Sequence, residues 1–220
     1  MLNKEIISAT IPSLHLNDPV SQALDLMADF HVMHLPVVEE DKLAGLVSED
    51  GLLNIEDDTT RLDQLQASFS RTAAHADSFF FEAIQMVNES GLTVIPVITG
   101  ESEYTGSIIA SDLLKHLSKV SGVNDTGGVI VLEMEKVSFS FSEISKLVET
   151  NDAQITQLNT YTDAHSGNFY ITLRINKLEI SDIIATFQRY DYQVKNYFGE
   201  ELYENELRNN YDHLMNYLNI

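Results

Sequence analysis

The side chains in this sequence with the most direct chemistry are its seven histidines and its carboxylates, since it contains no cysteine. Thiolate nucleophiles, disulfides and zinc–thiolate sites therefore drop out together. His31-Val-Met-His34 is the one close histidine pair, and no third ligand of suitable spacing accompanies it. His31 stands where a helix should end, which suits an imidazole, and His34 immediately precedes a strand. His15 and His75 recur 60 residues apart, at what read as strand-to-helix junctions. The acidic runs Glu39-Glu-Asp41 and Glu56-Asp-Asp58 border expected loops, so they read as solvated faces rather than paired catalytic carboxylates. Asp212-His213 near Glu206 has no nucleophile beside it. A phosphate-cradling Gly-rich loop with its Lys, a Gly-x-Gly-x-x-Gly turn and a Gly-x-Ser-x-Gly elbow are all missing from the sequence. The expectation is a chain without catalytic residues and without a metal.

The elements that would position any site occur twice. His15-Leu-Asn-Asp-Pro-Val20-Ser-Gln-Ala23-Leu24-Asp-Leu-Met27 lies 60 residues before His75-Ala-Asp-Ser-Phe-Phe80-Phe-Glu-Ala83-Ile84-Gln-Met-Val87. Val20, Ala23, Leu24 and Met27, like Phe80, Ala83, Ile84 and Val87, fall at i, i+3, i+4 and i+7, which predicts one apolar helical stripe in each copy. Asn17 and Asp18 are suitable N-caps for the first helix, Asp77 and Ser78 for the second. The match continues through Leu35-Pro36-Val37-Val38 and Ile95-Pro96-Val97-Ile98, which read as buried strands. It closes in Gly45-Leu-Val-Ser48-Glu-Asp50-Gly51 and Gly106-Ser-Ile-Ile109-Ala-Ser111-Asp112, where one extra loop residue raises the offset to 61. Each copy thus reads strand, helix, strand, tight turn, strand, helix, with the first over about 1–60 and the second over about 61–120.

This pattern resembles a tandem pair of CBS domains, a Bateman module, in which a His or similar residue precedes Leu-Pro-Val-Val, a Gly-Ile/Leu-Val strand follows, and Thr/Ser-x-x-Asp opens the last helix. The resemblance covers residues 1–120 and implies a pseudo-twofold module with two clefts, where relatives often bind adenine nucleotides or S-adenosyl compounds. In that family the Asp takes ribose hydroxyls and the Thr or Ser a phosphate oxygen. Carried over, Ser48 matches the hydroxyl of the first copy while Gly51 takes the Asp position, and Asp50 comes one residue early, about 100° away on a helix. In the second copy Asp112 is in register but Ile109 replaces the hydroxyl. Asp50 and Ser111 stand where the family commonly has a basic residue, so a phosphate would lack its cation. The second cleft is the better candidate, with Asp112 on the ribose and Pro96, Val97 and Ile98 walling the base. AMP, ATP, adenosine and S-adenosylmethionine are the ligands the resemblance implies.

After Leu113-Leu-Lys-His116-Leu117, the turn-rich residues 121–128 read as a linker. Beyond it the apolar periods run 2, 3.6, 2, 2, 3.6, 2, which predicts strands at Val129–Met134, Ala153–Tyr161, Phe169–Ile175 and Tyr192–Phe198 with helices at Phe141–Val148 and Ile180–Tyr190. That βαββαβ order over 129–199 is the ferredoxin-like arrangement, so the whole chain should be α+β. Leu132 to Ile144 resembles the first strand, loop and helix of an ACT domain, usually ending Asp-x-Pro-Gly-x-Leu-x-Glu-Ile. Glu143-Ile144 matches, whereas Phe139-Ser140 replaces the Pro-Gly, and without that glycine the backbone cannot approach an amino-acid ligand in the way the resemblance implies. Residues 200–220 place Tyr203, Leu207, Tyr211, Leu214 and Leu218 on one face of an expected C-terminal amphipathic helix, which either docks on its own domain or grips a second protomer. A CBS pair followed by an ACT-like domain resembles the acetoin-utilisation regulatory proteins.

Charge narrows the partners. Thirteen basic against thirty-four acidic residues leave a net charge of −21, distributed as six against nineteen over 1–120 and seven against fifteen over 121–220. Without a stripe of Lys and Arg, neither nucleic acid nor an anionic membrane surface is an expected partner. No run approaches the ~18 apolar residues of a membrane span, and the opening residues lack the pattern of a signal peptide. A cytoplasmic homodimer acting on an unknown regulated protein is expected, with a ligand-free scaffold as the alternative.

Overall fold

The computed structural model describes residues 1–199. The fold is α+β and divides into two compact units, Met1–Val120 and a second that begins at Ser121.

In the first unit the two hairpins of the repeat match residue for residue. The first copy contains α1 (Val20–Phe30), β1 (His34–Glu39), β2 (Lys42–Ser48) and α2 (Glu49–Leu53). The second contains β3 (Ala74–His75), α3 (Phe81–Ser90), β4 (Val94–Thr99), β5 (Glu103–Ile109) and α4 (Ala110–Val120). One sheet in the order β1-β2-β5-β4-β3 joins them, through the two antiparallel hairpins and a single Lys42–Glu103 pairing between them. Both hairpins carry a one-residue bulge at equivalent places, after Val37 opposite Gly45 and after Val97 opposite Gly106. The leading strand is slight: β3 lies parallel to β4 at Ala74–Val97, and its counterpart is an isolated bridge between Leu14 and Val37.

Each core is closed by a segment from the far side of the repeat. The 3₁₀ turn Asn3–Ile6 packs on the second copy, where Ile6 joins Phe80, Ala83, Val97 and Ile108, whereas the turn Leu62–Ser68 packs on the first, where Leu62 joins Leu14, Met27, Leu35 and Val47. Two glycines make room for the crossing. A Cβ on Gly106 would sit 2.4 Å from Ile7 Cγ2, and one on Gly45 would sit 2.6 Å from Phe69 Cβ. Asn3, fully buried, donates through Nδ2 to the His75 carbonyl (2.8 Å) and to Glu82 Oε2 (2.9 Å).

The crossing also corrects the expected helix caps. Neither α1 nor α3 has a side-chain N-cap, because carbonyls of the crossing chain meet the first-turn N–H groups instead. Val20 and Ser21 donate to the carbonyls of Thr60 and Asp58, and Phe80 donates to that of Met1. Asn17 accepts from Arg61, Asp18 from the His15 N–H, and Asp77 pairs with Lys4 at 2.7 Å.

The second unit contains β6 (Val129–Met134), α5 (Phe141–Glu149), β7 (Ile155–Thr162), β8 (Phe169–Ile175), α6 (Ser181–Arg189) and β9 (Gln193–Phe198). Its antiparallel sheet runs β7-β8-β6-β9, the strand order of a ferredoxin-like βαββαβ unit. Period-2 burial is clean in β8, where Phe169, Ile171, Leu173 and Ile175 face Ile144, Val148, Ile183 and Phe187 of the two helices. Phe139 packs edge-on to Phe169 with ring centroids 5.7 Å apart, and Ser140 caps α5 by accepting from the Glu143 N–H. The residues that replace Pro-Gly thus complete a core and start a helix. Gly127 and Gly128, expected in the linker, are bound into the sheet: Gly128 exchanges hydrogen bonds with Lys177 and Ile175, and a Cβ on Gly127 would lie 1.9 Å from the Ile175 carbonyl oxygen. The expected C-terminal helix falls in 200–220, outside the described residues.

Candidate functional site

Ser48 ends β2 and opens α2. Its hydroxyl accepts from the Gly51 N–H at 3.2 Å, the geometry of an N-cap, so the side chain is engaged by its own helix. A cleft of about 260 Å³ opens beside it, walled by Val47, Gly51, Leu52 and Ile55 on one side and by the crossing turn, Leu65 and Phe69, on the other. No carboxylate lines this cleft. At the same helix start Asp50 is exposed, and its charge acts on His34.

In the second copy Asp112 lies in the first turn of α4, where Lys115 Nζ holds its carboxylate at 2.6 Å. Ile109, half-buried, ends β5, and Ser111, exposed, follows in the helix. Pro96 and Val97 are buried, Val97 within the second core. The eight residues singled out from the sequence are therefore not gathered in one place. Ser48 lines the cleft just described, Ile98 lines a different one, and Asp112 lines neither.

The cleft that Ile98 lines measures about 270 Å³ and was not legible in the motifs. Leu43, Ala44 and Gly45 of the first copy form one wall, and Arg71, Ala73 and Ser102 of the second the other.

Between the copies, β1 and β4 meet at a polar clasp. Met33 N–H donates to Thr93 Oγ1 at 2.9 Å, and the Thr93 N–H donates to His34 Nδ1 at 3.3 Å, which makes that nitrogen an acceptor and leaves the Thr93 hydroxyl to donate to it at 3.1 Å. Two donors on one ring nitrogen require an unprotonated Nδ1. Burial pushes the His34 pKa below its ordinary value, against a smaller upward pull from Asp50.

The second unit holds a cleft of opposite character, about 370 Å³, lined by Glu133, Glu135, Glu143 and Asp191 with Tyr190 and Tyr192. Burial, then the Glu143 carboxylate to which it is hydrogen-bonded, raises the Tyr192 pKa. Such a lining repels phosphates and carboxylates. Among the described residues no three His, Asp or Glu side chains are grouped to hold a metal ion, and no helix is long and apolar enough to cross a membrane.

Residues 4–58, the span from the first crossing turn through α2, match the family model of the CBS domain. The chain contains a CBS domain. Downstream of it the second copy repeats the same hairpin, bulge and helix. Among curated relatives, inosine-5'-monophosphate dehydrogenase of Methanocaldococcus jannaschii is 22% identical over 176 residues, 80% of this chain and 34% of that protein. Homoserine O-acetyltransferase of Methanobrevibacter ruminantium is 30% identical over 115 residues, 51% of this chain and 23% of that protein. The chain thus spans about a third or less of the length of these relatives. A solved CBS domain pair/ACT domain protein from Thermotoga maritima aligns over 55% of this chain and 98% of its own, with 19% identity and a TM-score of 0.49.

Proposed function

We propose that this protein is a cytoplasmic, non-enzymatic regulatory module, in which the two copies form a CBS pair that holds an adenine nucleotide or S-adenosyl compound and the second, ACT-like unit passes the state to a regulated partner. The CBS match over residues 4–58, with a cleft opening where that domain starts its last helix at Ser48, carries the reading. Exposed apolar side chains of the first unit, among them Phe79 just before α3, Phe81 in it and Leu114 on α4, support a homodimer. A second reading, a scaffold that has lost its sites, is favoured by Ser48 serving as a cap, Gly51 lacking a carboxylate and Asp112 held by Lys115. Melting the protein with AMP, ATP, adenosine or S-adenosylmethionine decides between them, since a ligand at 100 times its dissociation constant stabilises by ~2.7 kcal/mol. A shift with any one of the four supports the sensor. No shift with any of them leaves the scaffold.

A further inference from the structure

We propose that the open face of the second unit's sheet is a docking surface, and that its occupant is the segment 200–220 of the same chain, which lies outside the described residues. The inference concerns the second unit alone and does not rest on the nucleotide reading.

A sheet of four strands has two faces, and α5 and α6 cover only one of them. The register puts Val129 and Val131 of β6, Tyr170 and Thr172 of β8, Tyr161 of β7 and Phe198 of β9 on the other. Neither valine belongs to the core. Tyr161 and Phe198 are 53% and 65% exposed, and the Tyr161 and Tyr170 rings stack with centroids 5.1 Å apart. The middle of this face is thus aromatic and β-branched, which is apolar area that gains by being covered. The outer sides of the two helices offer no such match, since Lys146, Glu149, Gln188 and Arg189 are all exposed there.

Reach, length and charge select the occupant. β9 is an edge strand that ends at Phe198, so the segment leaves from the rim of this face. Four residues separate Gly199 from Tyr203, the first member of the apolar stripe, and they span at most about 14 Å. The sheet is itself only about 14 Å wide from β9 to β7, so Tyr203 is confined to its neighbourhood. From Tyr203 to Leu218 is fifteen residues, about 23 Å at a helical rise. The seven residues of β8, at the centre of the face, run about the same length. A stripe of Tyr203, Leu207, Tyr211, Leu214 and Leu218 therefore lies along the strands without overhang. Its polar side also suits the site, since 200–220 holds five acidic residues against one arginine. The face carries Lys195, paired with Glu133 at 2.9 Å, and Arg174.

Because the chain contains no cysteine, one introduced thiol places a nitroxide label unambiguously. On Asn159→Cys, exposed on the open face of β7, the label should broaden the amide resonances of Tyr203 to Leu218 in the full chain. On Gln188→Cys, exposed on α6, it should leave them sharp. Labelled, isotope-enriched chains diluted into plain chains report contacts within one chain, and labelled plain chains mixed with enriched unlabelled ones report contacts between chains. Leu207→Asp together with Leu214→Asp should remove the broadening while the resonances of β6 and β8 stay dispersed, which shows that the unit remains folded. The proposal is overturned by broadening found only between chains, which puts the segment on a second copy. Equal broadening from both labels, none from Asn159→Cys, or broadening that survives the double substitution overturns it as well. None of these outcomes depends on whether an adenine compound raises the melting temperature, so the two readings stand or fall separately.

Discussion

Replacing Thr93 with valine keeps the shape of the side chain and removes the one hydroxyl that ties the two copies together at β1 and β4. Two hydrogen bonds go with it, from the Met33 N–H at 2.9 Å and to His34 Nδ1 at 3.1 Å, while the Thr93 N–H contact to Nδ1 remains. At a net 0.5–1.5 kcal/mol each, the loss should be about 1–3 kcal/mol. Taking about 2 kcal/mol, melting should fall by about 4–8 °C in calorimetry at pH 7.5. The clasp also has a pH signature. Because burial lowers the His34 pKa in the folded chain, the unfolded chain takes up the proton first as pH falls through about 6.5. The unfolded state then binds more protons, so the contribution of a neutral His34 is complete above that pH and is lost below it, down to the lowered folded value. His34→Asn supplies an amide oxygen as acceptor without a titrating ring, and should show a shallower decline in melting temperature than the wild type between pH 6.5 and 5. Comparing the two curves subtracts the titration of the other six histidines and of the carboxylates. A valine variant that melts within 1 °C of wild type, or parallel curves for wild type and His34→Asn, would refute the reasoning.

Gly127→Ala should destabilise the second unit far more than Gly106→Ala destabilises the first, because the added Cβ meets a backbone oxygen at 1.9 Å in one case and a side-chain methyl at 2.4 Å in the other. Urea titration of the two variants checks the order, with about 1–3 kcal/mol expected for Gly106→Ala. Ser48→Ala should cost about 1 kcal/mol through loss of the α2 cap, whereas Asp112→Ala, whose partner Lys115 is largely exposed, should stay within about 0.5 kcal/mol. A larger effect at Asp112 than at Ser48 in the same denaturation assay would contradict the assignment of cap and surface pair. Light scattering should return about twice the chain mass of 24.7 kDa at micromolar protein, and removal of residues 200–220 should lower that mass if the segment joins two chains.

Apolar periodicity made both hairpins and every long helix legible, since burial on one side leaves a trace at i+2 or at i+3 and i+4. It carried the second unit to within one or two residues at most boundaries; β7, for instance, begins at Ile155 rather than Ala153. The crossing turns left no such trace, because a single buried residue such as Ile6 or Leu62 has no period. Their signal was the pair Ser8-Ala-Thr10 and Ser70-Arg-Thr72, which recurs at an offset of 62 and is masked by the offset of 60 that follows. Arg71 was missed for the same reason. Side-chain capping was expected at Asp18 and Asp77 because local sequence shows only local acceptors, while the acceptors used lie about forty to eighty residues away in the chain. Ser48 and Asp112 were found but not their engagements, which depend on which neighbour turns toward them.

The exchange of Asn3–Ile6 and Leu62–Ser68 between the copies imposes an order of assembly. A nascent chain can close the first core once residue 69 has emerged, because every element of that core but Val94 lies upstream. The opening segment, in contrast, must wait for Ala83, Val97 and Ile108 before Ile6 finds its place. Closing a loop of that length adds an entropic cost that only the finished second copy repays. Severing the gene at residue 60 would therefore leave both halves with an open core, the first without Leu62 and the second without Ile6, and co-expression of the two pieces should restore the pair by exchanging what each lacks.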